Sequence, residues 1–310
     1  MNMIFSSANH SIRIVSLGLL LLATTMATST FAMDKRTFVH IVQPGTNAFH
    51  LVVVNTEASS SQYLPNGQLQ AKVENNNVAA RAIARFSVAE NLEFTFEIPY
   101  LLKREQDRTN AAGITTSNFD SEGLGDADIQ LTWQARDSRK GGFGLIAGLE
   151  LQMPTGDKDR GLGSETWDTS LRTTLSQKTK WGFPYLMAIY TDTGTTKIEG
   201  IRVDPSNDLF LGAGFKTRYW NNFGLDLMVY RYIITSQSIS ENNGFEAVTE
   251  KHDTPGWKIY GRYLVTKSLE WMILYERSNP EDHNMTFNSQ TITKKPGTKE
   301  RFGTAFKYFW

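Results

Sequence analysis

Apolar and polar residues alternate one for one from Leu92 to Tyr100: Leu92, Phe94, Phe96, Ile98 and Tyr100 share one parity, and Glu93, Thr95, Glu97 and Pro99 share the other. Successive strand side chains point to opposite faces, so this spacing predicts a strand with one apolar and one polar face. The pattern returns with Val78, Ala80, Ala82, Ala84, Phe86 and Val88 against Arg81, Arg85 and Ser87. It returns again with Ala127, Ile129, Leu131, Trp133 and Ala135 against Asp126, Asp128, Gln130, Thr132 and Gln134. Phe143 to Met153 sets apolar odd positions against Glu150 and Gln152, and Trp167 to Leu175 sets them against Asp168, Ser170 and Arg172. Weaker copies run over Trp181–Ile189, Leu209–Tyr219, Phe223–Val229, Trp257–Val265, Leu269–Tyr275 and Phe302–Trp310. With a first strand at Phe49–Thr56, twelve are expected.

The connections between these strands alternate in length. Short ones fall at Ala89–Asn91, Arg136–Gly142, Gln177–Lys180, Trp220–Asn222 and Thr266–Ser268, and long polar ones at Ala58–Asn77, Lys103–Gly123, Pro154–Thr166, Asp192–Asn207, Thr235–Pro255 and Ser278–Thr298. Loops longer than roughly 12 residues are uncommon in compact domains, so a regular series of them needs a reason. A closed antiparallel transmembrane β-barrel of about 12 strands supplies it, with short periplasmic turns, long extracellular loops and apolar side chains facing lipid. Closure is a physical requirement, because an open edge in hydrocarbon would leave backbone groups unpaired. A soluble sandwich would show the same alternation, but aromatic placement separates the two. Phe86, Trp133, Phe143, Trp181, Phe183, Tyr219, Phe223, Trp271, Tyr308 and Trp310 gather near the turn end, and Tyr100, Trp167, Trp257, Tyr275 and Phe302 near the loop end. Two belts are what interfacial anchoring produces.

The first 32 residues differ from the rest: Arg13, then the apolar run IVSLGLLLLATTMA, then Thr30 and Ala32 before a cleavage point. That is the form of a secretory signal peptide, leaving residues 33–46 as a periplasmic or plug-like segment and 47–310 as the barrel. The expected location is the outer membrane, with its lipid as surroundings. The chain ends inside its last strand on Trp310, which resembles the terminal aromatic signal by which barrel-assembly machinery receives such proteins.

Composition removes several chemistries. There is no cysteine, so thiolate metal sites, iron–sulfur clusters and cysteine nucleophiles are absent. Lys plus Arg and Asp plus Glu both number 32, giving no general attraction to nucleic acid. The polar faces carry Arg81, Arg85, Arg172, Lys216, Arg218, Lys258, Arg262, Arg301 and Lys307. They also carry Glu93, Glu97, Asp126, Asp128, Glu150, Asp168, Asp226, Glu270 and Glu276. Arg81 and Arg85 stand a three-residue turn away from Glu93 and Glu97, and Lys258 and Arg262 face Glu270 and Glu276, so interior ion pairs are expected. Such pairs either stiffen the barrel or line a conduit for a small-molecule solute, and twelve strands allow both.

Two motifs near the loop end sharpen the reading: GLGDADIQLTWQ from Gly123 and LELQMPTGDKDRGLGSE from Leu149. They resemble the bacterial outer-membrane family named for a putative MetA pathway of phenol degradation, through Gly123, Gly125, Asp126, Pro154, Thr155, Gly156, Asp157, Gly161 and Gly163. RFSVAENLEFTFEIPYLLKRE is similar to that family's early hairpin, and the likeness runs from about Phe49 to Trp310. The resemblance implies a transporter-like barrel passing small, often aromatic or hydrophobic compounds. Physically, the glycines permit tight turns and close backbone approach, and Asp126 and Asp157 can accept turn amides.

Catalytic motifs are thin. Neither G-x-S-x-G nor H-E-x-x-H occurs. An outer-membrane hydrolase would have to use His252 or His283 with loop serines such as Ser236, Ser238 and Ser240. A barrel with surface-contact loops is the third class. DKDRGLGSETWD from Asp157 imitates a calcium loop but has Gly161 at the fifth position and Leu162 at the sixth. GLGDAD lacks the third glycine of a dinucleotide fingerprint. No catalytic residue, metal or cofactor is expected.

Overall fold

A computed structural model describes residues 40–42, 45–157, 160, 162–198, 201–241, 246–288 and 290–310, with the backbone alone at 116–120, 196–198, 201 and 241. The signal-peptide reading and Gly161 lie outside the described residues. The strands are β1 (Ala48–Tyr63), β2 (Leu69–Ala89), β3 (Leu92–Asn110), β4 (Thr115–Leu124), β5 (Ala127–Arg136), β6 (Phe143–Met153), β7 (Asp168–Gln177), β8 (Gly182–Thr193), β9 (Thr196–Ile198) and β10 (Ile201–Asp204). They continue as β11 (Asp208–Thr217), β12 (Phe223–Ile234), β13 (Gln237–Glu241), β14 (Glu246–Thr249), β15 (His252–Leu264), β16 (Leu269–Ser278), β17 (His283–Phe287), β18 (Gln290–Pro296) and β19 (Lys299–Phe309).

Twelve of them close the wall in the order β1, β2, β3, β5, β6, β7, β8, β11, β12, β15, β16, β19, all antiparallel. β19 returns to β1 from Ala48↔Phe309 to Glu57↔Glu300, so no edge is left in the wall. The two ends of the barrel chain meet, with Asn47 donating its N–H to the carbonyl of Trp310 at 2.8 Å.

The apolar parity faces outward. Leu171 is 58% exposed while its neighbour Arg172 is 5% exposed, the inverse of a soluble core. Trp133, Phe143, Trp181, Phe223, Tyr308 and Trp310 are exposed at the turn end, and Tyr100, Trp167, Trp257 and Phe302 at the loop end. An apolar outer band flanked by aromatic rings is stable against lipid and not against water.

Two expectations change. Five of the six long polar connections are not irregular loops but prolong the sheet: β1–β2 and β3–β4 run on as hairpins, and β9–β10, β13–β14 and β17–β18 add pairs above the wall. Their backbone groups pair with one another rather than with water, and segments such as KVENNNV and TITKKP hold the extended period in polar residues. Only Pro154–Trp167 contains no strand among the described residues. On β8 the facing is reversed: Tyr185, Met187 and Ile189 are buried, whereas Leu186 and Tyr190 are exposed. Both parities of that strand are apolar, so period two alone could not orient it. Phe183 leaves the aromatic belt accordingly and meets His40 edge to face at 4.6 Å.

Candidate functional site

The inner wall has two sides. On β8, β11 and β12 it carries Tyr185, Met187, Ile189, Phe210, Met228, Tyr230 and Tyr232, all buried. Two of these rings lie against the wall where glycine faces them. Tyr185 stands opposite Gly214 and Tyr230 opposite Gly256 in the ladder. A Cβ on Gly214 would come within 2.3 Å of the Tyr185 ring, and one on Gly256 within 2.5 Å of the Tyr230 ring. With the rings thus placed, their hydroxyls reach carboxylates: Tyr185 donates to Asp226 at 2.8 Å, Tyr230 to Glu276 at 2.5 Å, and Tyr232 to Asp208. Filling the Gly214 space displaces the ring, so Gly214→Ala is expected to cost about 1–3 kcal/mol, read by urea unfolding in lipid vesicles. A cost below about 0.5 kcal/mol, the range of an inert surface change, would mean that Tyr185 has room to move.

Across the lumen the wall is charged and paired. Arg85 forms a two-pronged pair with Glu93, Nε to Oε1 and Nη2 to Oε2 both at 2.8 Å, and Arg81 reaches Glu97 at 3.2 Å. Arg172 stands 3.5 Å from Glu150, Arg262 3.9 Å from Glu270, and Arg301 3.2 Å from Glu276. Tyr219 also donates to Glu270, and the Arg262 guanidinium lies 4.8 Å over its ring. Lys258 is buried with its Nζ 5.8 Å from the Phe210 ring centre, joining the two sides. Lys216 pairs with Asp226 in the β11–β12 ladder, and Asp128 with Glu97 between β5 and β3. Asp168, at the loop end, accepts from the hydroxyl of Thr166 and the N–H of Gly194. Arg218 stands apart: its side chain is exposed at the turn end and donates to the carbonyl of Thr179 at 2.8 Å.

The chain before the barrel enters the turn end of this lumen. Ile41 and Val42 are buried; the Val42 N–H donates to Glu93 Oε2 at 2.7 Å and the Ile41 N–H to Gln134 Oε1 at 3.3 Å. His40 Nε2 lies 2.9 Å from the Ser138 hydroxyl. Burial, reinforced by Lys216 and Arg139, pushes the His40 imidazole down to about 3, so it stays neutral at ordinary pH.

At the other end the two glycine motifs lock together. Asp126 accepts N–H bonds from Gly156 at 2.8 Å and Ser164 at 2.6 Å, and Thr155 Oγ1 accepts from the Ala127 N–H at 2.8 Å. Gly123 has φ +143°, a conformation that side chains disfavour, and Leu162 fills the space beside it. Gly156 and Gly163 touch backbone to backbone, so a Cβ on Gly156 would lie 2.7 Å from Gly163 Cα. Gly125 donates to the carbonyl of Pro99 and Asp157 to that of Leu124; Asp157 is exposed, its carboxylate 3.4 Å from Arg160. These residues position the Pro154–Trp167 connection on the rim.

Residues 53–189 match the model of a family described as putative MetA-pathway of phenol degradation. This match bears out the resemblance carried by the motifs. The matched stretch is shorter than the span from Phe49 to Trp310 that the motifs imply. No curated protein matches the chain in sequence. In three dimensions it is similar to an outer-membrane channel from Pseudomonas putida F1, with a TM-score of 0.62 at 12% identity, covering 89% of this chain and 99% of that one. Lower likenesses, which carry no argument, include the toluene transporter TodX of P. putida (TM-score 0.47, 12% identity, 86% and 91% covered) and the outer-membrane protease OmpT of Escherichia coli (0.41, 10%, 89% and 99%). The shared feature is the fold, an outer-membrane-type barrel.

The aromatic wall leaves little signal in the sequence: β8 is apolar on both parities, and on β11 and β12 few polar residues, such as Lys216 and Asp226, mark the inside. The Val42 contact leaves none, since nothing in HIVQPG distinguishes a lumenal from a periplasmic path. His252 and His283, the histidines that a hydrolase would use, each set ring Nδ1 3.1 Å from a backbone carbonyl, of Glu250 and of Glu281. Among the described residues no group of three or more His, Asp or Glu side chains is placed to hold a metal ion.

Proposed function

We propose that the protein is an outer-membrane conduit for small solutes that combine an aromatic or other apolar body with a hydrogen-bonding group. The observation that carries this reading is the two-sided lumen, with tyrosine, methionine and phenylalanine on one wall and compensated charge on the other. An apolar body finds dispersion contacts on the first, while a hydroxyl meets donors and acceptors already in place on the second. Because arginines and carboxylates occur in pairs, the field along the path favours neither sign of small ion strongly. Arg81, Glu97, Glu150, Arg172, Lys258 and Glu276 line the middle of this path, and Arg85, Glu93, Lys216, Arg262 and Glu270 its turn end.

His40–Val42 narrow the turn end as a plug. The leader through Ala32 is removed on export, and the strand ending at Trp310 is the segment presented to the assembly machinery. The resemblance to a family described by phenol degradation supports the solute class, and the shared fold with an outer-membrane channel supports a conduit.

The test is single-channel recording of the purified chain in planar bilayers. Discrete current steps are expected, blocked by phenol at concentrations where glucose leaves them unchanged, with selectivity shifted toward cations by Arg81→Glu. A folded, inserted barrel that stays silent sinks the open-conduit reading.

A further inference from the structure

Beyond the membrane band the sheet carries a second titratable cluster. His252 opens β15, five residues from the belt residue Trp257, which at about 3.3 Å per residue places it roughly 16 Å further along the strand. His283 opens β17, and the two segments run side by side: Glu281 donates its N–H to the Asp253 carbonyl at 2.8 Å, and Glu250 to that of Asn284 at 2.9 Å. The imidazoles stack, with ring centres 3.8 Å apart and planes 14° from parallel. Each Nδ1 is 3.1 Å from a backbone carbonyl, Glu250 O for His252 and Glu281 O for His283. A carbonyl only accepts, so each Nδ1 carries a hydrogen, and in the neutral ring each Nε2 is then the bare lone pair. His283 is buried, and its Nε2 has no hydrogen-bond partner.

The charges around the stack decide what a proton would do there. Lys294 of β18 faces His283 directly in the β17–β18 ladder and is itself buried. Of the nearby acids, Asp253 pairs with Arg231 of β12, which lies 3.8 Å from Glu281; both acids act on His252 against Lys294 and against its burial, the largest effect. Glu250 and Lys251 before β15, and Asp282 before β17, have exposed side chains. A proton on the His283 Nε2 would place a cation beside Lys294 in a buried position. Divalent metal is a poorer fit, because lone pairs confined to two stacked, near-parallel ring planes do not converge on one ion and Lys294 repels it.

We propose that the His252–His283 stack is an acid-sensitive latch, holding the outer hairpin β17–β18 against the base of β15 while both rings are neutral and releasing it on protonation. The hairpin it holds covers apolar surface: Met285 and Ile292 are ladder partners and both are buried. Burial lowers the His283 imidazole to about 3, with His252 and Lys294 adding to the effect, and burial likewise lowers His252. A group depressed in the latched state contributes fully above its free value of about 6.5. That contribution is lost as pH falls below this value toward about 3.

Hydrogen exchange of the full chain in detergent micelles, corrected for the intrinsic pH dependence of amide exchange, tests this without reference to conduction. If one proton is linked, opening of residues 283–295 is expected to rise roughly thirtyfold from pH 7.5 to pH 5.0, with β1 and β2 near Val54 and Ala79 unchanged. The double variant H252F/H283F should lose that response, and Lys294→Met should reduce it. An unchanged wild type, or an undiminished response in the double variant, overturns the latch. Should the double variant's hairpin already be open at pH 7.5, His283→Gln alone must lose the response, and its retention overturns the proposal equally.

Discussion

Replacing Glu93 by alanine is expected to destabilise the barrel by about 3–5 kcal/mol, the cost of breaking a buried ion pair by removing one partner. Glu93 is wholly buried and has four contacts: two from Arg85 at 2.8 Å, one from the Val42 N–H at 2.7 Å, and one from the Thr95 hydroxyl at 3.3 Å. Its loss takes the counter-charge from a guanidinium that is 2% exposed, and the cost is that of the uncompensated charge rather than the worth of the pair. The double variant R85L/E93L removes both charges and should therefore recover most of the loss. Urea unfolding in lipid vesicles, followed by emission of the seven tryptophans, reads both. If Glu93→Ala costs less than about 1 kcal/mol, the value typical of a solvated surface pair, then water reaches Arg85 and the turn end of the lumen is wet.

The second expected result is a several-fold rise in single-channel conductance for a chain that begins at Asn47. Such a chain lacks Ile41 and Val42, which lie in the lumen, and the contacts His40 makes with Ser138 and Phe183. The wall is unaltered, because the Asn47 pairing with Trp310 and the β1–β19 ladder remain. Losing the two amide bonds and the His40 contact should cost about 1 kcal/mol each, so the truncated barrel stays folded. Equal conductance for the two chains would remove the plug from the functional reading and leave the segment as a brace for Glu93.

Much of the barrel was legible because a lipid-facing strand has to alternate. On β3, β5 and β7 one parity is apolar and the other charged or hydroxylated, and a single residue of slip would put Glu93 or Arg172 into hydrocarbon. Pairs such as Arg85 with Glu93 followed from the same facing together with a short turn. On β8 the signal failed for the opposite reason, since Tyr185, Met187 and Ile189 are as apolar as the outward Leu186 and Tyr190. There the ladder register, which sets Tyr185 on Gly214, decides which parity is inside. Polar connections were legible as long but not as sheet, because their pairing depends on partners far along the chain, as in Ser60↔Pro296.

The amino-acid sequence by itself determined a closed β-wall with an apolar outside, since alternation and the prohibitive open edge leave no other arrangement of these residues in lipid. The tertiary structure decided what the wall encloses: an aromatic side and a charged side, His40–Val42 bound to Glu93, Gln134 and Ser138, and two histidines stacked beyond the membrane. Those features join residues distant in the chain, and their partners are chosen by register and barrel closure rather than by any local preference.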